Sequence, residues 1–134
     1  MAVIKIKCNC GKIIEASVGD SIYNNNLRWY QSYYCKNCGN ALEMDEIGVI
    51  PFEIKKAIMI QEGSCELFLL DYKSRKKVSY LLNKMPYMDS EWFKLFEEEK
   101  SNRIVCGTQN EVTFIKEYLE AKGIKECELK VLDS

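Results

Sequence analysis

The sequence has no histidine among its 134 residues. Without an imidazole the chain cannot form a Ser-His-Asp triad, a Cys-His nucleophile pair, a histidine proton shuttle or a histidine-liganded metal site. It also lacks a P-loop, a GxGxxG motif and a compact group of carboxylates. These absences argue against most enzyme classes and leave a cysteine nucleophile as the remaining catalytic chemistry.

Long apolar runs and an excess of one charge are absent as well. No stretch approaches the roughly 18 apolar residues of a transmembrane helix, and the start MAVIKIKCNC has no apolar region typical of a signal peptide. Lys and Arg total 19 against 20 Asp and Glu, so the net charge of −1 does not attract nucleic acid or an anionic membrane. We therefore expect a cytoplasmic protein with reduced cysteines and no membrane partner.

Two of the cysteine spacings are typical of a metal site. The pairs are Cys8-x-Cys10 and Cys35-x-x-Cys38, each followed by a glycine and separated by 24 residues. Four thiolates suit one tetrahedral Zn²⁺, and the glycines are expected to let the backbone turn under the metal, where a side chain would collide. Since sulfur fills all four positions, the site is predicted to be structural, with no open position to activate water. Reduced structural cysteines, or a redox pair, are the alternatives.

The first 44 residues resemble a zinc ribbon, in which two metal knuckles are each carried on a hairpin. Strands are predicted at 3–7, 12–18 and 29–34, with turns at Gly19-Asp20 and at 24–26. Residues 45–63 are predicted to be a connector with a short helix that begins at Pro51. The helix positions expected to be buried are Phe52, Ile54, Ile58 and Ile60.

Residues 64–134 show the order strand, helix, helix, strand, helix, strand. Strands are predicted at 65–70, 103–106 and 127–132, and each contains one of the remaining cysteines, which we interpret as buried apolar residues. The first helix is capped by Ser74, and the second helix begins at Asp89 or Ser90. The last helix starts with a Thr108–Glu111 capping box and ends at Gly123. The apolar positions expected to be buried in the first and last helices are Val78, Leu81, Leu82, Met85, Val112, Ile115 and Leu119.

This order, with Ile104-Val-Cys-Gly107 followed by the segments 111–123 and 126–131, resembles the C-terminal domain of ribosomal protein L7/L12, whose fold the adaptor ClpS shares. The resemblance implies an α+β fold, a small zinc ribbon followed by a β-α-α-β-α-β domain. In the ribosomal family the first helix and the next turn recruit translation factors through lysines and small apolar residues. Here Lys76, Lys77 and Lys84 keep the basic character, but the turn 85–89 lacks the family's glycine. The Asn-Asp loop of ClpS is also missing, so neither activity is carried over.

Two surface segments are candidates for partner binding. Arg28, Trp29 and Tyr30 lie in a run rich in aromatic residues that either stacks on bases or fills a small core. The second segment is basic and lies at a predicted helix N-terminus, where cations oppose the helix dipole. It is read as a docking patch for an acidic partner or as a solvated face. Its members are Lys73, Arg75, Lys76 and Lys77.

The sequence therefore favours a non-enzymatic, cytoplasmic protein-binding protein with one structural Zn²⁺, either an adaptor or an inhibitor of the immunity-protein type. Balanced charge favours a protein partner over nucleic acid. The alternative is a zinc-ribbon protein that binds nucleic acid or the ribosome through Arg28, Trp29, Lys36 and the basic segment 73–77. An enzyme with a cysteine nucleophile is the third class.

Overall fold

The structure is a computed structural model that describes residues 2–85, 94, 96 and 102–132, without the side chains at 72 and 132. It is a mixed α+β fold with two antiparallel sheets. The strands are β1 (Ala2–Lys7), β2 (Ile13–Tyr23), β3 (Asn26–Tyr34), β4 (Ala41–Ile47), β5 (Ser64–Leu69), β6 (Arg103–Gly107) and β7 (Cys127–Leu132). The helices are α1 (Phe52–Glu62), α2 (Arg75–Lys84) and α3 (Gln109–Ala121). Within the described residues, no helix combines the length and the apolarity that crossing a membrane requires.

The first sheet has the strand order β1-β2-β3-β4, with every neighbouring pair antiparallel. Strands β2 and β3 are joined by a two-residue turn at Asn24 and Asn25, whose φ angles of 49° and 62° are both positive. Asparagine tolerates this conformation, and such turns match the twist of a hairpin. The turn predicted at 24–26 is therefore confirmed.

The turn predicted at Gly19-Asp20 is wrong, because both residues lie inside β2. Gly19 is opposite Tyr30 on β3, and a Cβ at residue 19 would come within 2.2 Å of the Tyr30 hydroxyl oxygen. The glycine is there because the tyrosine ring crosses the strand at this point, which is one of the established uses of glycine in strands.

Strand β4 was not predicted, and the proposed ribbon boundary at residue 44 lies inside it. Its sequence Ala-Leu-Glu-Met-Asp-Glu-Ile alternates between apolar and acidic residues for most of its length, as a half-exposed strand does. With β4 in place, the two cysteine-bearing hairpins, β1-β2 and β3-β4, form one continuous sheet.

Helix α1 packs on β1 and β2 through Ile54 and Ile58, which are buried as predicted. The prediction for Phe52 and Ile60 is wrong, because they are 74% and 67% exposed. Each lies two residues from a buried isoleucine, and two residues correspond to about 200° around a helix. Their side chains therefore project from the face of α1 that turns away from the sheet.

The second sheet has the order β6-β5-β7, and its strands confirm the predicted ones to within one residue. All the apolar residues expected to be buried in α2 and α3 are buried. Ser74 is the N-cap of α2, but its side chain accepts no capping hydrogen bond. The second predicted helix falls mostly outside the described residues, of which Lys94 and Phe96 are helical and Phe96 is buried. The likeness to L7/L12 stays a prediction.

The two sheets share one hydrophobic core. Apolar residues of β2, β3 and α1 belong to the same buried cluster as those of β5, α2, β6 and α3. Examples from the two sheets are Leu27 and Trp29 on one side and Leu67 and Ile104 on the other. Removing either sheet would expose apolar surface of the other.

Three polar contacts tie α1 and β2 to the start of α3. The Lys55 ammonium lies 2.8 Å from the Glu111 carboxylate, and both side chains are buried. The Thr108 hydroxyl accepts the Glu111 backbone N–H at 3.0 Å and donates to the Asp20 carboxylate, to which Asn110 also donates. The hydroxyl half of the predicted capping box is confirmed, whereas the Glu111 carboxylate pairs with Lys55 on another helix.

Candidate metal centre

The four cysteines of the two spaced pairs meet at one end of the first sheet. Cys8 and Cys10 lie in the loop between β1 and β2, and Cys35 and Cys38 lie in the loop between β3 and β4. Both loops are at the end opposite the turn between β2 and β3, so the antiparallel order brings them together. Their four sulfur atoms lie within 4.8 Å of one another and form a candidate metal site.

Each cysteine pair sits in a tight turn closed by backbone hydrogen bonds. The N–H of Gly11 donates to Cys8 O at 2.8 Å, and the N–H of Gly39 donates to Cys35 O at 2.7 Å. Both glycines have positive φ, at 93° and 76°, which explains why glycine follows each pair. A Cβ at either position would meet no protein atom within 4 Å, so the expected collision could come only from the bound ion and stays a prediction. The positive φ by itself explains why glycine stands at both positions.

Hydrogen bonds prepare two of the sulfur atoms to ionise. The Asn37 side-chain amide lies 3.3 Å from Cys10 Sγ and, with the Lys12 backbone N–H, lowers the pKa of Cys10 to about 6. The backbone N–H of Cys10 in turn lowers the pKa of Cys8. Since donors to a sulfur favour the thiolate, this thiol pair is preorganised as an anionic ligand pair.

The raised pKa of Cys38 shows that the four thiols do not all ionise easily by themselves. The Asn40 backbone N–H acts to lower its pKa, but the neighbouring thiols and burial outweigh that effect and raise the pKa of Cys38 to about 12. Four thiolates confined within 4.8 Å repel one another, and a bound cation removes that repulsion. The donor set therefore calls for a positive ion.

The spacing of the sulfur atoms fits a tetrahedral ion. Between the two turns, Cys8 Sγ lies 3.5 Å from Cys38 Sγ and Cys10 Sγ lies 3.7 Å from Cys35 Sγ. Zinc–sulfur bonds of 2.3 Å in a tetrahedron place the sulfurs about 3.8 Å apart. A disulfide needs about 2.05 Å, so no disulfide joins these sulfur atoms in the structure.

The other three cysteines lie in β5, β6 and β7, as predicted. Cys65 and Cys127 are buried, and Cys106 is half-buried. Burial raises the pKa of Cys65 and of Cys106, and it raises the pKa of Cys127 to about 11. All three are held as neutral thiols, which is the opposite of an activated nucleophile.

The predicted aromatic surface is divided between the two faces of β3. Trp29 is 7% exposed and packs in the shared core, while Arg28 and Tyr30 lie on the opposite face because strand residues alternate. Tyr34 shares that open face and is 61% exposed. The core interpretation therefore holds for Trp29, and partner binding through Arg28 and Tyr30 stays a prediction.

The basic segment at the start of α2 is also divided. Arg75 stacks on the Phe96 ring with its guanidinium carbon 4.3 Å from the ring centroid, and it donates to the Phe96 carbonyl. Lys73, Lys76 and Lys77 are exposed. Arg75 therefore has a structural contact, and the three lysines form the solvent-facing part of the segment.

Two surfaces were not predicted from the sequence. One is the outward face of α1 with Phe52 and Ile60, which could not be identified because α1 is apolar on both faces. The other is the edge of β4 that no described strand pairs with, for which the alternating pattern between residues 42 and 45 was the available signal.

Comparison with known proteins adds no relative. No protein-family model matches the sequence, and no curated protein or solved structure is significantly similar to it. A functional proposal for this chain therefore rests on its own residues.

Proposed function

We propose that the four clustered cysteines bind one Zn²⁺ and that the ion is structural. The donor set consists of four sulfurs, which zinc prefers in structural sites, and their spacing agrees with tetrahedral coordination. An ion held by four protein ligands has no open position for water. Its task is to join the loop between β1 and β2 to the loop between β3 and β4.

The metal content of the purified full chain tests this role. We expect one zinc per chain by inductively coupled plasma mass spectrometry, and its loss in Cys38→Ser. Cys106→Ser is the matched control, because it removes a thiol outside the cluster and should keep the zinc. Metal-free protein with an unchanged unfolding transition contradicts the structural role, and bound iron in place of zinc contradicts the identity of the ion.

We further propose that the protein is a non-enzymatic binding protein with a protein partner, as an adaptor or an inhibitor of the immunity type. The proposal rests on the open face of the first sheet, since α1 and α3 pack against the other face. Tyr23 and Tyr34 are largely exposed there, and the Arg28 guanidinium lies 5.8 Å from the Tyr23 ring centroid. Tyrosine and arginine are enriched in protein interfaces.

The distribution of charge on this sheet also supports a protein partner. Lys5 and Lys7 lie on β1, whereas Glu43, Asp45 and Glu46 lie on β4 at the other edge. A polyanion would be repelled by the acidic edge, while a protein surface of mixed sign can match both edges. The raised pKa values of the three cysteines outside the cluster support a role without a cysteine nucleophile.

Affinity capture with matched variants tests the binding function. Tagged wild-type protein is incubated with nuclease-treated lysate, and any protein retained is purified, identified and titrated by calorimetry. We expect a stoichiometric complex that Tyr34→Ala weakens about tenfold or more, as hot-spot truncations do. Tyr80→Ala is the control, because Tyr80 is similarly exposed but lies on α2. A complex equally sensitive to both variants, or no stoichiometric complex, contradicts the proposal.

A second candidate is nucleic-acid binding at the knuckle end of the sheet. A recess of about 640 Å³ is lined there by Lys5, Lys12 and Lys36 together with Tyr34, which offers phosphate contacts beside an exposed ring. If single-stranded RNA is the partner, its affinity should fall steeply as salt concentration rises and should decrease in Lys36→Gln. Salt-insensitive or undetectable RNA binding rejects this candidate.

A further inference from the structure

Strand β4 forms an open edge of the first sheet. It pairs with β3 on one side, and none of the described residues forms a ladder with its other side. It is also the one described strand without a buried residue. A seven-residue exposed edge can accept another strand, which is why proteins normally shorten, cover or charge such edges.

The register identifies the backbone groups on this open side. Gly48 N–H donates to Leu27 O at 3.0 Å, and the register pairs each residue of β4 with one of β3 without interruption. Hydrogen-bonded pairs alternate along an antiparallel ladder. Residues 42, 44 and 46 therefore bond to β3, and the N–H and C=O groups of Ala41, Glu43, Asp45 and Ile47 point outward.

The side chains along the edge have a definite charge. Glu43 and Asp45 lie on the open face opposite Ser32 and Tyr30, and Asp45 lies 3.6 Å from Arg28. With Glu46, the strand has three acids and no base. Glu43 lines two adjoining recesses, of about 470 and 550 Å³, on the side where alternate residues of an added strand would project.

We propose that the edge of β4 binds an extended, lysine- or arginine-containing segment of a protein partner by adding it as a fifth strand. The outward backbone groups of β4 form the ladder, and basic side chains at alternate positions meet Glu43 and Asp45. A second copy of this chain is disfavoured, since pairing β4 with itself would place acids opposite acids. The inference deepens the proposed function, on which it rests, by naming the partner's docking mode.

Fluorescence anisotropy tests the edge directly. The measurement is the binding of a labelled peptide of alternating valine and lysine to the full, zinc-loaded chain. We expect saturable binding that weakens about tenfold or more in Glu43→Pro, which removes an outward N–H but none that bonds to β3. Glu43→Gln removes the charge alone and should cost about two- to fivefold. Glu117→Gln removes an exposed charge on α3 and should change nothing.

Two probe variants make the test independent of the folding of Glu43→Pro. The same peptide, N-methylated at the backbone amides that would bond to β4, should bind wild-type protein about tenfold more weakly. A peptide of alternating valine and glutamate should bind more weakly still. Equal binding of all peptides, or no binding of the lysine peptide, overturns the proposal. So does a wild-type dimer in sedimentation that Glu43→Pro dissociates, because the occupant is then a second copy.

Affinity capture separates this inference from the proposed function. A partner retained equally by wild-type protein and by folded Glu43→Pro leaves the binding function standing and rejects the edge as its docking site. Absence of any partner, together with specific binding of the lysine peptide, rejects the proposed function and keeps the edge.

Discussion

Replacing Lys55 by methionine tests the ion pair that joins α1 to α3. The Lys55 and Glu111 side chains are 7% and 1% exposed, and their charged atoms are 2.8 Å apart. At an effective dielectric constant of about 20, charges this close attract by about 6 kcal/mol, which offsets the several kcal/mol needed to desolvate each ion. The pair is therefore near neutral for stability as long as both members are present.

Methionine at residue 55 keeps the length and apolar volume of the side chain but removes the cation. Because the Glu111 carboxylate then stays in the core without its counter-charge, the free energy of unfolding should fall by about 3–5 kcal/mol. For a chain of this length the melting temperature should fall by roughly 10–20 °C. Lys56→Met removes the exposed neighbouring cation and should stay within about 0.5 kcal/mol of wild type.

The assay is urea denaturation of zinc-loaded protein, followed by far-ultraviolet circular dichroism, for wild type, the single variants and the double variant Lys55→Met/Glu111→Leu. The double variant removes both charges and should recover most of the loss, to within about 1–1.5 kcal/mol of wild type. If Lys55→Met is as stable as Lys56→Met, or if the double variant is no more stable than the single one, the reasoning about the buried pair is refuted.

Gly19→Ala should destabilise the protein by about 1–3 kcal/mol, because its Cβ would collide with the Tyr30 ring, and Tyr30→Ala in the same chain should cancel that cost in the same denaturation assay. Gly39→Ala places its Cβ in free space but at a positive φ, so it should lower the free energy of unfolding by only about 1–2 kcal/mol and leave the zinc content unchanged. Loss of zinc in this variant would indicate that the added side chain collides with the bound ion. Cys127 should be alkylated at a rate that rises with pH through about 11, since burial raises its pKa to that value, and mass spectrometry after timed iodoacetamide treatment measures this rate. The neutral Cys127 thiol stabilises the fold below about pH 9, and that contribution is lost as the pH rises from 9 to 11. In the alkylation assay, an apparent pKa near the ordinary value of a cysteine contradicts the burial of Cys127.

The buried faces of α2 and α3 were predictable because their core residues follow helical spacing. Val78, Leu81 and Leu82 follow helical spacing and are all buried. Helix α1 has apolar residues all around, so its sequence could not distinguish the buried Ile54 from the exposed Phe52. The choice is made by the sheet on which α1 packs, which local periodicity does not reveal.

The four cysteines were identifiable from the sequence because the spacing of metal ligands is a local property. Closely spaced cysteine pairs also have few functions other than metal binding. The surrounding surface was harder to predict, because the aromatic run 28–30 was treated as one patch although alternate strand residues face opposite ways. Gly19 was mistaken for a turn because glycine is the usual sign of one, whereas the cause here is Tyr30 on the next strand. That cause is tertiary and lies 11 residues away in sequence.

The absence of buried residues in β4 also bears on where the sheet opens first. Separating β4 from β3 exposes little apolar surface, so the free energy of that local opening depends on the ladder and on its two ends. One end is fixed by the turn containing Cys35 and Cys38, and the other by the hydrogen bond of Gly48. Amide hydrogen exchange of residues 42, 44 and 46 therefore reports how firmly the turn containing Cys35 and Cys38 holds the edge, while exchange in β2 reports the stability of the whole molecule.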